Sequence, residues 1–157
     1  MLIPNPNPRG RMSQFVWFAG WVAVTGFGLA LSPDASGHGT HQHLGLPPCP
    51  SVLLFNRPCP GCGLTTSWTA LLHGDLAFAF HAHALGPFLY LLYTVTAWGS
   101  LWMGLKHLRT NPYDRRLDRA MWIGATIFLA YGLGRMVMTP HYQTEREAMF
   151  ARVVTGR

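Results

Sequence analysis

Apolar and polar positions divide the chain into three long apolar runs separated by polar segments. Phe15 to Leu31 runs 17 residues without a charge. Leu85 to Leu105 runs 21 residues without a charge, and Ala120 to Thr139 runs 20 residues with one charge, Arg135. A helix that crosses a bilayer needs roughly 17–25 mainly apolar residues. Helices of a water-soluble core seldom stay uncharged over such lengths, and three of them in 157 residues argue against one. The expected fold class is an all-α membrane protein with three transmembrane helices at 15–31, 85–105 and 120–139. The polar remainder is a leader (1–14), a segment between the first two spans (32–84), a basic loop (106–119) and a tail (140–157). One or two short helices are expected within 32–84.

The first run also resembles a signal peptide, with Arg9 and Arg11 as its basic flank. Its 17 residues exceed the usual apolar region of about 7–15. Pro33 also sits badly beside a cleavage site after Ala30-Leu31-Ser32, so a retained span is the expectation. The tail carries Thr144-Glu145-Arg146-Glu147, the signature of a capping box. It predicts a short amphipathic helix lying on the outer surface or fraying.

Composition strengthens this picture. Charged residues are 11% of the chain, against roughly 25% in an average soluble domain. The net charge is +6, but its distribution matters more than its size. Arg9 and Arg11 lie in the leader, and Lys106, Arg109, Arg115, Arg116 and Arg119 lie in the loop, whereas 32–84 holds only Arg57. Basic residues are retained on the cytoplasmic side. The amino terminus and basic loop are therefore expected inside, and the 32–84 segment and tail outside, as in a bacterial inner membrane. A basic stripe interleaved with aromatics, the footprint of nucleic-acid binding, is missing.

Small residues at i and i+4 let helices approach closely in lipid. Ala19/Ala23, Ser100/Gly104 and Ala130/Gly134 are such pairs, so contact within the chain, a homo-oligomer or a larger membrane complex are all readings. Trp17, Trp98, Trp102 and Trp122 are candidate interfacial anchors.

The chemistry concentrates in 32–84. All three cysteines (Cys49, Cys59, Cys62) and six of the eight histidines fall there, namely His38, His41, His43, His73, His81 and His83. The centre is Cys59-Pro60-Gly61-Cys62-Gly63. Two thiols three residues apart can share a metal or close a small disulfide. Pro60 stiffens the turn, while Gly61 and Gly63 permit backbone angles that other residues resist. A helix over 63–73 is expected next, with Leu64, Trp68, Leu71 and Leu72 on one face and Thr65, Thr66, Ser67 and Thr69 supplying hydroxyls near its start. Cys62 would then sit at a helix start, where the dipole lowers a thiol pKa.

The stretches Gly37-His38-Gly39-Thr40-His41, Leu44-Gly45-Leu46-Pro47-Pro48-Cys49 and Cys59-Pro60-Gly61-Cys62-Gly63-Leu64-Thr65-Thr66-Ser67, with Gly74-Asp75 after them, resemble the bacterial domain-of-unknown-function family 2752. That family comprises small membrane proteins with a Cys-Pro-x-Cys-Gly core. The resemblance spans about Gly37 to Gly99. Many members have Arg at Thr66, and an Asn-Pro before the next span is replaced here by His83-Ala84. The resemblance implies a membrane location and no established activity.

Three readings of the cysteines remain open. A disulfide fits an oxidising outer compartment, with one thiol left over. A metal site would join Cys49, Cys59 and Cys62 with one of His38, His41 or His43, as Cys3His for Zn or a soft site for Cu(I). Thiol-redox or metal-handling catalysis lacks the βαβ setting such motifs usually have, so a non-enzymatic role is the expectation and no catalytic residue is assigned. His73 lies too far along its helix from Cys62 to join a shared site. His81 and His83 are expected at the interfacial surface. Asp75 is expected to cap a helix leading to the second span, with Pro87 kinking that helix or starting another. Arg135, an ionisable residue within a span, marks a candidate functional position, and a pairing with Asp75 would tie the outer segment to the bundle.

Overall fold

The computed structural model describes residues 2–5, 7–111 and 114–155. Met1 and Pro6 of the leader, Pro112 and Tyr113 of the basic loop, and Gly156 and Arg157 of the tail lie outside the described residues. The elements are β1 (Leu2–Pro4), α1 (Pro8–Ala30), α2 (Pro50–Phe55), α3 (Leu64–Leu72), α4 (Leu76–Ala82), α5 (Gly86–Leu105), β2 (Leu108–Thr110), α6 (Arg115–Met138) and α7 (Glu145–Thr155), with a 3-10 turn at Thr40–Leu44. Three of these helices, α1, α5 and α6, are long and apolar enough to cross a membrane.

Two of the three begin before their apolar runs, because caps rather than hydrophobicity set a helix start. Asn7 accepts from the Arg9 amide at 3.0 Å ahead of Pro8, whose fixed φ suits the first helical position. Asp114 accepts from the Arg116 amide at 3.0 Å in the same way for α6. Pro87 stands in the first turn of α5 and starts it rather than kinking it.

α1 and α5 run antiparallel in close contact. Trp21 Nε1 donates to Thr94 Oγ1 at 3.0 Å, Thr25 Oγ1 and Tyr90 Oη share a hydrogen bond at 2.8 Å, and Ser100 Oγ donates to the Gln14 carbonyl at 3.0 Å. Of the three small-residue pairs, Ser100/Gly104 makes a helix contact, Gly104 lying against the Phe15 ring. Ala19 and Ala23 are exposed, and a Cβ on Gly134 would meet open space.

β1 and β2 form a two-stranded antiparallel sheet in which Leu2 faces Thr110 and Pro4 faces Leu108. Three-residue strands lie below the length at which alternation can be read from sequence, and this sheet was not expected. It places the leader beside the basic loop at one end of the bundle. The tail helix α7 packs on α2 at the other end, beside the cysteine segment. The leader and basic loop thus lie at one end, and the cysteine segment and tail helix at the other.

α3 is inverted relative to a water-soluble amphipathic helix. Its buried face is Thr66, Ser67, Thr69 and Ala70, while Leu64, Trp68, Leu71 and Leu72 are half-buried. Of its three buried hydroxyls, those of Ser67 and Thr69 have no hydrogen-bond partner. Thr66 has one in Thr40, at 2.8 Å.

α6 meets the remainder of the chain near its carboxyl-terminal end. Gly132 lies against Pro60 so closely that a Cβ there would overlap the proline ring. Arg57 reaches the Met136 carbonyl at 2.9 Å and the Val137 carbonyl at 3.1 Å, satisfying free carbonyls of the last turn. The Ala84 amide donates to Tyr131 Oη at 3.1 Å.

Candidate metal centre

The three thiols come from two local structures. Cys49 stands at the start of α2, just before Pro50. Cys59 and Cys62 flank a turn closed by the Cys62 amide donating to the Cys59 carbonyl at 3.0 Å. Gly63 follows at φ +83°, where a Cβ would overlap the Ala82 carbonyl oxygen, so glycine is required there. Gly61 is different: its φ is not positive and a Cβ would meet open space. The expectation that both glycines serve backbone freedom holds for Gly63 alone.

The sulfurs of Cys49, Cys59 and Cys62 all lie within 4.8 Å of one another. Cys59 Sγ and Cys62 Sγ are 3.2 Å apart, and the Cys59 amide donates to Cys62 Sγ at 3.2 Å. Thiolates about 2.3 Å from a tetrahedral zinc stand about 3.8 Å apart, so a small opening of the Cys59–Cys62 pair would produce that spacing. Burial pushes the Cys62 thiol well above its ordinary pKa, with the neighbouring Cys59 adding to the effect. Desolvation therefore outweighs the helix-start effect expected from sequence. Burial also works against ionisation of Cys49, but the amides of Ser51 and Val52 and the neighbouring thiols outweigh it and lower its pKa.

The expected histidines separate into three environments. His38 is buried, with Nε2 2.9 Å from Glu147 Oε2 and Nδ1 3.3 Å from the Ser36 carbonyl, so both ring nitrogens are engaged. His43 pairs with Asp34 at 3.1 Å on the surface. His41 lines, with His38 and the three cysteines, a cavity of about 510 Å³ whose apolar wall includes Leu53, Leu54, Ala151 and Val154. No histidine nitrogen joins the sulfur group among the described residues. His73 bonds the Thr69 carbonyl of its own helix at 2.8 Å.

His83 is fully buried rather than interfacial. Its Nε2 lies 3.0 Å from the Pro60 carbonyl, and its ring packs edge-on to Tyr131. Burial, together with the charge of Arg135, holds the imidazole below its ordinary pKa despite the Pro60 bond, so it donates as the neutral ring. Sequence reasoning missed this residue. Its signal was its place just ahead of the second long apolar run.

Arg135 does not pair with Asp75. Its guanidinium donates to the Cys62 carbonyl at 2.9 Å, the Ala82 carbonyl at 3.3 Å and Tyr142 Oη at 3.3 Å, and it lies over the Tyr131 and Tyr142 rings. Asp75 caps α4 as expected, accepting from the Phe78 amide at 2.9 Å. A carboxylate committed to a cap is not free for a remote cation, and two buried carbonyls beside Arg135 need the donor it supplies.

The tail does not fray. Its capping box forms, with the Thr144 amide donating to Glu147 Oε2 at 2.9 Å and the Glu147 amide to Thr144 Oγ1 at 3.4 Å. Glu147 is 2% exposed and also accepts from Gln42 at 2.7 Å. Burial would raise its carboxyl, but the bonds from His38, Thr144 and Gln42 prevail and hold it down to about 2. Gln143 adds bonds to the Val52 and Leu53 carbonyls, and its amide donates to Asn56 Oδ1 at 2.8 Å. α7 thereby closes one wall of the thiol cavity.

The architecture and the thiol cluster together define a small helical protein with three candidate membrane spans and a sulfur-rich segment between the first two. Residues 49–97 match the model of a family described as "Protein of unknown function (DUF2752)". The resemblance read from the cysteine motif therefore holds across α2, the Cys59–Cys62 turn, α3, α4 and the first half of α5. The match begins at Cys49, so the histidine stretch before it lies outside. Neither the curated proteins nor the solved structures contain a match.

Proposed function

We propose that this is an integral membrane protein that holds a thiophilic metal ion, Zn²⁺ or Cu(I), on Cys49, Cys59 and Cys62. The observation that carries the reading is the convergence of three sulfurs from two separate segments within 4.8 Å. A disulfide needs two of them and leaves the nearness of the third without purpose. A cation would also compensate the ionisation that burial opposes at Cys62. Three protein thiolates leave a fourth position open toward the cavity, where His41, which lines it, is the imidazole to take that position after a turn of the 40–44 segment.

The excess of basic residues at the β1–β2 end supports placing that end in the cytoplasm. The metal centre then faces the outer side of a bacterial inner membrane. Lipid is the partner of the exposed apolar faces of α1, α5 and α6. A homo-oligomer or a larger complex would use the exposed remainder of α6.

Metal analysis of detergent-purified protein tests the proposal. One equivalent is expected in the wild type, with loss in each of Cys49→Ser, Cys59→Ser and Cys62→Ser. A wild type without metal after purification under reducing conditions and reconstitution with either ion would overturn it. A second reading rests on the 3.2 Å separation of Cys59 and Cys62: a disulfide between them that stabilises the turn. Alkylation in denaturant and chelator, before and after reduction, separates the two, since a metal site leaves all three thiols open to alkylation without reductant and a disulfide leaves one.

A further inference from the structure

The inner end of the bundle carries a polar site that the thiol chemistry does not use. Asn5, between β1 and α1, is 2% exposed, yet neither its Oδ1 nor its Nδ2 has a hydrogen-bond partner. Buried amides of that kind are rare, because each missing bond leaves the desolvation cost uncompensated. Arg11 Nε is buried without a partner as well. Both residues line a small cavity of about 220 Å³ together with Pro4 and His107.

The surroundings hold these donors in place. The Asn5 amide donates to the His107 carbonyl at 2.7 Å. His107 adopts φ +55°, a left-handed conformation that a non-glycine residue seldom takes. Arg11 Nη1 donates to His107 Nδ1. The Asn5 side chain lies over Gly10 in the first turn of α1, where a Cβ would press on the amide. The first turn of this 23-residue helix carries the positive end of its dipole. Arg9, Lys106 and Arg109 add positive charge nearby.

We propose that this cavity is a phosphate-recognition site, in which Asn5 Nδ2 and Arg11 Nε donate to the oxygens of a phosphate group. Two of the three unpaired atoms, Asn5 Nδ2 and Arg11 Nε, are donors, and the fixed positive charge of Arg11 beside them favours an anion over a cation. The cavity admits a headgroup rather than a whole lipid. Its place, where a membrane-spanning helix begins beside the basic loop, suits the phosphodiester of an anionic phospholipid; inorganic phosphate offers the same oxygens.

The test uses full-length protein in detergent, titrated with short-chain phosphatidylglycerol, short-chain phosphatidylcholine or inorganic phosphate, with thermal unfolding and native mass spectrometry as readouts. One bound phosphatidylglycerol is expected, weakened about tenfold by Asn5→Ala and by Arg11→Lys. Arg11→Lys keeps the charge while losing Nε, and so separates the site from general attraction. Arg119→Gln removes a charge elsewhere and should change little. Stabilisation by inorganic phosphate that both site variants weaken assigns the same site to the free ion. Equal binding in wild type, Asn5→Ala and Arg11→Lys, or loss in Arg119→Gln matching theirs, would overturn the proposal. Should Asn5→Ala fold poorly, Arg11→Lys still decides it. Metal content is expected to be unchanged in every variant.

Discussion

α1 and α6 have similar length and hydropathy, yet the chain holds them by different means. α1 lies along α5, with side chains meeting at several levels: Gln14 with Ser100, Trp21 with Thr94, Thr25 with Tyr90. α6 is fastened at its carboxyl-terminal end, where Gly132 meets Pro60 and Arg135 and Arg57 bridge backbone carbonyls across the junction. In lipid, association of apolar faces gains little, so close packing and polar contacts decide what stays together. α1–α5 is therefore a helix pair in its own right. The attachment of α6 is part of the cysteine turn, and the two should fail together.

The largest expected effect follows from Gly132. Gly132→Leu forces a side chain into the Pro60 ring, and the helix or the turn must move. Overpacking costs about 1–3 kcal/mol at an ordinary core site, and backbone atoms of Pro60 leave less room to yield. Metal content should fall to a small fraction of the wild-type value with a lower unfolding temperature, while Gly134→Leu, facing open space, retains both. Equal metal content in the two variants would show that α6 is not coupled to the site.

Arg135 comes next. Arg135→Gln leaves the Cys62 and Ala82 carbonyls without their charged donor, a loss of about 1.5–3 kcal/mol by the usual worth of such bonds. Asp75→Asn weakens a helix cap by at most about 1 kcal/mol. Because the two side chains have separate partners, the double variant should lose the sum, measured by denaturant or thermal unfolding in detergent. Recovery of stability in a charge-swapped Asp75→Arg/Arg135→Asp protein would restore the ion pair that the structure replaces.

The tail supplies a pH-dependent test on the same side. The Glu147 carboxyl is held at about 2, against an ordinary value of 4.5. Its folded-state pKa lies below its unfolded one, so its contribution is complete above about pH 4.5 and is lost as pH falls toward 2. Protease cleavage within α7 should rise across that window. In Glu147→Gln the tail should be more accessible at neutral pH, with a flatter response to acid. An acid response identical in the variant would place its origin elsewhere.

How much of this was legible in the sequence depends on the range of the interaction. The three long apolar helices, the short helix after Cys62, the Asp75 cap and the Thr144–Glu147 box are local patterns, and each is present. Partners set by the fold were not legible. Arg135 and Asp75 carry opposite charge, which suggested a pair, but only the packed structure shows two carbonyls closer to the guanidinium. His83 reads as one more polar residue before a span until Pro60 is seen above it. The burial of the Thr66–Thr69 hydroxyls reverses the rule for soluble helices, and no local pattern in the sequence marks it. Asn5 and Arg11 gave no sign beyond charge, since an unpaired donor is a property of three-dimensional surroundings.

The smallest effect tests the other half of the comparison. Thr94 accepts from Trp21 and donates to the Tyr90 carbonyl at 2.9 Å, so Thr94→Val removes the one hydrogen bond that joins the two helices at this level and keeps the shape. Hydrogen bonds between membrane helices average about 0.6 kcal/mol, because the separated helices find other partners. A shift of that order in unfolding free energy is expected, with metal content unchanged. The reasoning is that α1 meets α5 at several levels along its length, so no single contact is decisive, whereas α6 depends on a cluster of a few residues. If Thr94→Val instead released metal as Gly132→Leu should, then strain would pass from the helix pair to the cysteine turn through α3, which packs on both, and α1–α5 and the turn would be one cooperative unit.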